Sequence, residues 1–340
     1  MSPPMVALGS RDLLVVSTVK PRMNPKNYHP WLHRFAIATA CVALLPIVLG
    51  ALVTTLKAGM AFADWPSSDG YGMFSYPWLK SAGDEFIEHG HRLAGIVIGL
   101  FSIGLTVLVW RQESRLWVRI VGSLVLVGVI AQGLLGGLRV LNNDPRLALV
   151  HGAFGACVFS LMAAMVLLTS RSWLNTNESK VDGDLSSLKP YAILTPIVLL
   201  TQYIMGGYVR HLNTGLDEHL GFAFVVLLFV VLTAAAAHRS GILWLRRPAW
   251  MLLVLTLIQI GFGAGAWVTR FGFASAGYVA VVDSTFQTVV RTVHMVLGML
   301  VFMTSVIFSL RAFRLSLIQR VVDSSARPLP KTLPMAGGVA

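Results

Sequence analysis

Cysteine, acidic residues and charge in general are scarce in this sequence. It has two cysteines in 340 residues. Both, Cys41 and Cys157, fall inside long apolar runs, so there is no disulfide framework of the kind that staples small secreted domains. They are expected to be buried free thiols packing as small apolar groups. Charged residues make up 12% of the chain, against about a quarter in a water-soluble domain, which excludes a soluble globular fold of this length. No cleavable signal is expected either, because the apolar stretch at 13–16 is too short for the core of a leader. The first long apolar run should act as an uncleaved anchor. The N-terminal extension lacks the Arg- and Ser-rich amphipathic character of a transit peptide, which points to a bacterial cell membrane.

Apolar residues are abundant: 55% of the chain is hydrophobic and the mean hydropathy is +0.71. Eight apolar runs, at 35–56, 93–110, 116–138, 147–169, 191–209, 220–237, 249–268 and 289–310, are each long enough to cross a bilayer. About 20 residues rising 1.5 Å each traverse a hydrocarbon core of about 30 Å. Lipid offers no partner for a backbone N–H or C=O, so the expected fold is an all-α membrane protein with eight transmembrane helices.

The formal charge is +12, but its distribution argues for topology rather than for a nucleic-acid partner. Arg11, Lys20, Arg22, Lys26 and Arg34 precede the first run. Arg111, Arg115 and Arg119 lie in the second loop, Arg239, Arg246 and Arg247 in the sixth, and Arg311, Arg314, Arg320, Arg327 and Lys331 in the tail. Asp64, Asp69, Asp84, Glu85, Asp144, Asp217, Glu218 and Asp283 fall in the odd-numbered loops. The positive-inside rule places both termini and the even loops in the cytoplasm. The expected organisation is a cytoplasmic segment at 1–34, a four-helix bundle at 35–170, a cytoplasmic linker at 171–189, a second, similar four-helix bundle at 190–311 and a cytoplasmic tail at 312–340.

The two halves share phrases. The third, fifth and seventh runs end in "QGLLGGLRV", "QYIMGGYVR" and "QIGFGAGAWVTR", each with a glutamine followed four residues later by a glycine: Gly136, Gly206 and Gly263. The first run ends "GALVTT" without the glutamine. Small residues one turn apart let helices approach closely. The same pattern also suits close packing against a planar cofactor. Pro46 and Pro196 look equivalent in the two halves and mark candidate helix breaks.

Of nine histidines, His29, His33 and His238 read as interfacial groups. His91, His151, His219 and His294 open the second, fourth, sixth and eighth runs, at equivalent places. An ionisable residue at that depth is expensive and calls for a functional reason. Three readings fit: a bis-histidine haem site in each half, pairing His91 with His151 and His219 with His294; another metal, which for zinc would want further ligands, with only His211 and Glu218 to offer in the second half; or a metal-free proton path. The haem reading is taken forward.

The phrase "EFIEHGHR", 85–92, places Glu88 and His91 three residues apart and therefore on one helical face. His89 falls nearly opposite, toward neighbouring helices or headgroups. Glu85, a turn above Glu88, would line the site entrance, and Arg92 would pair with Glu88, Glu85 or an anionic propionate. A desolvated carboxylate there suits proton transfer, although an acid near a helix N-terminus is also explained by the macrodipole alone. Asp217 and Glu218 precede His219 at other spacings, so the two sites are not equivalent.

These motifs resemble the haem A synthase family. The resemblance rests on "GALVTTLKAGMAFADWPSSDGYG" (50–72), "EHGHR" (88–92), "VHGAFGA" (150–156), "GGYVRH" (206–211) and "RTVHMVLG" (291–298), in this order, and covers about residues 35–310. It implies an enzyme that oxidises a methyl group of haem O to a formyl group, giving haem A for cytochrome oxidase. By resemblance, His91 and His151 would ligate the substrate haem O, Glu88 would be the catalytic carboxylate, and His219 and His294 would ligate a haem b. Arg210 and His211 would support the site, and haem O synthase and cytochrome oxidase subunits would be partners, with membrane lipid around the chain. Many bacterial members carry a cysteine pair in outer loops, which this chain lacks, and Lys57 stands where small or polar residues are more usual. Two other classes compete. A non-enzymatic two-haem cytochrome exchanging electrons with quinol explains the histidines but gives Glu88 no role. A transporter explains the repeat but not the histidines.

Overall fold

A computed structural model describes residues 28–176 and 185–325; the expectations for 1–27, 177–184 and 326–340 lie outside the described residues. Eight helices are long and apolar enough to cross a membrane: Pro30–Thr55, Gly83–Gln112, Leu116–Asn142, Pro145–Leu168, Lys189–Leu212, Leu216–Arg239, Leu243–Phe271 and Thr285–Val322. They are called the first to eighth spans below. Among the described residues the remaining regular structure is short helical turns and two isolated β-bridges. The chain is an all-α, multi-pass membrane protein. Large apolar side chains such as Leu100, Val127, Phe224 and Leu228 stay exposed on the helix surfaces, where lipid takes the place of a core.

Several spans begin before their apolar runs do. The second starts at Gly83 with Asp84 and Glu85 in its first turn, where the helix dipole favours acids. "EFIEHGHR" is therefore helix throughout, and His91 lies past the second turn. The eighth starts at Thr285, so His294 is equally deep. Hydropathy alone misses such polar opening turns.

Each odd span stops at a residue with positive φ: Lys57 (φ 61°), Asn143 (φ 46°), Asn213 (φ 54°) and Gly272 (φ 79°). At Lys57 the cap is a Schellman motif, with Ala58 N–H donating to Val53 O (2.8 Å) and Lys57 N–H to Thr54 O (3.2 Å). Glycine or asparagine is usual at that position, so the lysine carries a backbone cost.

The two prolines do not match. The first span is interrupted at Ala43, between Pro30–Val42 and Leu44–Thr55, because Pro46 has no N–H to give Val42 O. Pro196 sits inside an unbroken helix. Pro46 precedes Gly50 by four residues, as Gln132, Gln202 and Gln259 precede their glycines. Pro46 is thus the counterpart of the glutamines rather than of Pro196. The cysteines also differ from expectation. Both are free, but Cys41 is exposed, and Cys157 is only partly buried where it packs against the core cluster.

The first span packs on the second and the fourth, and the third packs on both the second and the fourth. The fifth to eighth spans form the corresponding ring, closed by the eighth on the fifth. The eighth also packs on the first and fourth, and one buried apolar cluster, including Leu105, Val125, Met165, Val230, Leu252 and Phe302, runs through both sets. The fifth span ends in a π-turn, Tyr208–Leu212, a local insertion often found at functional positions.

Candidate functional site

Two cavities, of about 510 and 550 Å³, lie among the helices toward the end where odd spans finish and even spans begin, here called the upper end. His91 and His151 line the first cavity, and His219 and His294 line the second. The ring centroids of His91 and His151 are 6.4 Å apart, with planes at 82°; those of His219 and His294 are also 6.4 Å apart, at 90°. The four histidines thus meet in the two expected pairs.

A glycine of the preceding odd span backs each ring. A Cβ at Gly50 would come within 2.9 Å of His91 Cε1, at Gly136 within 3.2 Å of His151, at Gly206 within 3.1 Å of His219 and at Gly263 within 3.0 Å of His294. At each position an added Cβ would press on the imidazole, so glycine lets the ring lie close to the neighbouring helix. The residue four positions earlier supplies the next contact. His91 Nδ1 meets Pro46 O at 3.0 Å and His294 Nδ1 meets Gln259 O at 3.2 Å. Gln132 and Gln202 instead donate from Nε2 to the backbone O of His151 and His219, at 3.0 and 2.9 Å. A carbonyl at Nδ1 sets the tautomer that leaves Nε2 as a ligand.

The donor sets suit a metal held between two imidazoles. Metal–imidazole bonds of about 2 Å on opposite sides of one ion put ring centroids about 6.3 Å apart. His151 Nδ1 and His219 Nδ1 are buried polar atoms without a partner, as are Oε1 of Gln132, Gln202 and Gln259. Gly95, Gly133 and Gly152 line the first cavity with open space where a Cβ would stand, which leaves room for a flat group. Among the described residues no cluster of three or more His, Cys, Asp or Glu side chains offers a metal site, so the multi-ligand zinc arrangement has no candidate there.

Around the first pair, Glu88 is 3% exposed and lines the cavity with His91. Its Oε1 accepts from Arg92 Nη2 at 2.7 Å, and its Oε2 from the N–H of Ala61 and Phe62 at 2.8 and 3.4 Å. Arg92 also donates to Asp64 O (2.9 Å) and Ser67 O (2.6 Å) and stacks on Phe62. The Glu88–Arg92 pair therefore anchors the loop between the first two spans over the cavity. That loop turns through Asp69 and Gly70, both at positive φ, with Ser68 and Tyr71 exchanging two 3.0 Å backbone bonds. The Asp-Gly pair is the sequence signal for such a turn. Outside the spans, partial burial pushes the Asp64 carboxyl up, but hydrogen bonds from Ser67 and from the N–H groups of Gly70 and Asp69 outweigh it and hold it at about 2, against an ordinary 3.8.

His89 is not among headgroups or neighbouring helices. It is buried beneath this loop, bonded to Ser68 Oγ (3.0 Å) and Met73 O (3.1 Å), with Tyr76 4.6 Å away ring to ring. The loop folds back over the second span, which periodicity on one helix cannot foretell. Glu85 is exposed and accepts from Tyr76 Oη at 2.9 Å; it does not line the cavity.

Arg210 and His211 ride on the π-turn. Arg210 reaches the first span, donating to Ala51 O (2.6 Å) and Thr55 Oγ1 (2.9 Å). Thr55 in turn meets Thr292 of the eighth span at 3.3 Å. His211, Gly152 and Met295 line both cavities and form their common wall. Residues that sequence reasoning left out of the site also line the cavities. Arg139, which donates to Gly59 O, and Trp65, whose ring lies against Gly137, belong to the first. Arg270 and Arg291 belong to the second. Both of those arginines close or open quoted phrases, "GAWVTR" and "RTVHMVLG", and could have been found by position relative to the histidines.

A profile of a family described as cytochrome oxidase assembly protein matches residues 79–221, which include Glu88, His91, His151 and His219. The chain is similar to haem A synthases. It is 31% identical over 202 residues to the heme A synthase of Lysinibacillus sphaericus, covering 57% of this chain and 62% of that one. To that of Rhodopseudomonas palustris it is 33% identical over 142 residues, 38% of each chain. To that of Symbiobacterium thermophilum it is 27% identical over 267 residues, covering 68% of this chain and 84% of the relative. The chain thus spans less than two thirds of the length of the first two relatives.

Proposed function

We propose that the protein is a haem A synthase, which oxidises a methyl group of haem O to a formyl group and so supplies haem A for cytochrome oxidase. The observation that carries this reading is the pair of similarly built two-histidine cavities, of which, among the described residues, only the first has a carboxylate, Glu88, in its lining. In this reading 35–170 forms the substrate bundle and 190–311 the haem b bundle. His91 and His151 hold haem O, and His219 and His294 hold haem b. Bound haem iron supplies the redox chemistry. The chain's own residues do the rest. The imidazoles fix the plane of the substrate, the loop at 56–82 covers the cavity, and Glu88 stands one turn above His91 to accept or return a proton, steadied by Arg92. The relatives' names and the family match support a place in haem A formation. The positive-inside pattern supports an orientation with both termini cytoplasmic.

A two-haem electron carrier would use the same histidines but leaves Glu88 without work in a cavity. Co-expression with a haem O synthase, followed by haem extraction, separates the two. Haem A or hydroxylated intermediates are expected; their absence with both haems bound would leave the carrier. Glu88→Ala should keep bound haem and stop conversion, whereas His219→Ala or His294→Ala should lose haem b.

A further inference from the structure

The two cavities differ in charge: Glu88, Arg92 and Arg139 line the first, whereas Arg210, Arg270 and Arg291 line the second. In the first, the position three residues before each histidine holds Glu88 or Ala148; in the second it holds Leu216 or Arg291. Residues three apart on a helix share a face, so an acid stands over the histidine pair in one cavity and a base in the other. Arg291 is joined in the second lining by Arg210 and Arg270, while no Asp or Glu among the described residues lines that cavity. The ion pairs found among the described residues are Arg92–Glu88 and Arg115–Glu113, so none of the three guanidiniums has a carboxylate partner. Asp283, in the chain before Arg291, does not line the cavity. Arg210 Nε is buried without a partner. The rest of the wall is chiefly Leu, Val, Ile, Ala, Gly, Phe and Trp.

Cations against an apolar wall are costly unless paired. The first cavity brings its own carboxylate to Arg92; the second brings none. All three arginines lie at the upper end: Arg210 in the final π-turn of the fifth span, Arg270 in the last turn of the seventh, and Arg291 one turn above His294. Guanidinium groups match carboxylates with paired, charge-assisted bonds.

We propose that Arg270 and Arg291, backed by Arg210, form a carboxylate clamp at the upper end of the second cavity, which orients a dicarboxylic tetrapyrrole with its acidic edge up and its apolar edge inward. This rests on the haem b reading of the second cavity and specifies how that ligand is held. The clamp adds affinity for the acid groups, separate from ligation by the histidines.

The test uses the full-length protein in a His91→Ala background, which leaves the second histidine pair intact, stripped of haem and titrated with haem b and with its dimethyl ester. Binding is followed by the absorbance of bis-imidazole iron. The diacid should bind about tenfold or more tighter than the diester. Arg270→Gln and Arg291→Gln should each close much of that gap by weakening the diacid and sparing the diester. Equal affinity for acid and ester, or variants that weaken both alike, would overturn the clamp while the bis-imidazole spectrum upholds the haem site. Absence of that spectrum with either ligand would remove the haem b reading and the clamp together.

Discussion

Gly263→Ala tests whether the histidine positions are set by glycine contacts. The new Cβ would stand 3.0 Å from His294 Cε1, when ordinary contact begins at 3.4 Å, so the ring must retreat by about 0.4 Å. It is not free to do so, because Nδ1 is engaged with Gln259 O at 3.2 Å. Overpacking of this kind costs about 1–3 kcal/mol, while alanine gains up to about 1 kcal/mol over glycine in a helix interior. Gly261, half a turn away, has nothing within 4 Å of a Cβ, so Gly261→Ala collects the gain without the clash. The two variants should differ by about 1–3 kcal/mol, with Gly263→Ala the less stable. Detergent-solubilised protein unfolded with denaturant gives the stabilities, and the spectrum of bound haem reports whether imidazole ligation survives. Equal stability and unchanged spectra for the two variants would refute the claim that His294 is seated on Gly263.

His89→Ala removes two hydrogen bonds beneath the loop and should speed limited proteolysis within 56–82, leaving the haem content unchanged. Asp64 stabilises the same loop through a lowered carboxyl pKa, so its contribution is complete above the ordinary 3.8 and is lost as pH falls toward about 2; Asp64→Asn should remove that acid dependence of protease resistance. Lys57→Gly relieves a left-handed backbone and should raise stability by about 1 kcal/mol in the same denaturant assay. Arg210→Leu unties the fifth span from the first and should lower stability in it by about 2–3 kcal/mol, more than Arg210→Lys does.

Much of the fold was legible in hydropathy. The eight apolar runs all became spans, because lipid leaves a backbone only helical solutions at that length. Their starts were less legible. Polar first turns such as Asp84–His91 look like loop to an apolarity count, yet they are helix whose side chains face a cavity or the loop. The histidine pairing was legible too, since recurrence at equivalent positions in even spans has few other causes. The pairing of Pro46 with Pro196 failed, because a proline can take a glutamine's place where only its carbonyl is used, as at His91 Nδ1.

By itself the sequence determined what local spacing controls: the eight spans, the histidine on each even span, the glycine four residues after each glutamine, and the shared face of Glu88 and His91. Tertiary structure alone decided which glycine backs which imidazole, that His89 serves the loop, that His211 stands in the wall between the cavities, and that three arginines without carboxylate partners gather in one of them. The physical reason is separation along the chain. Contacts such as Arg210 with Ala51 or Ala61 with Glu88 join segments whose approach is set by helix packing and loop folding, and no periodicity within one helix encodes them.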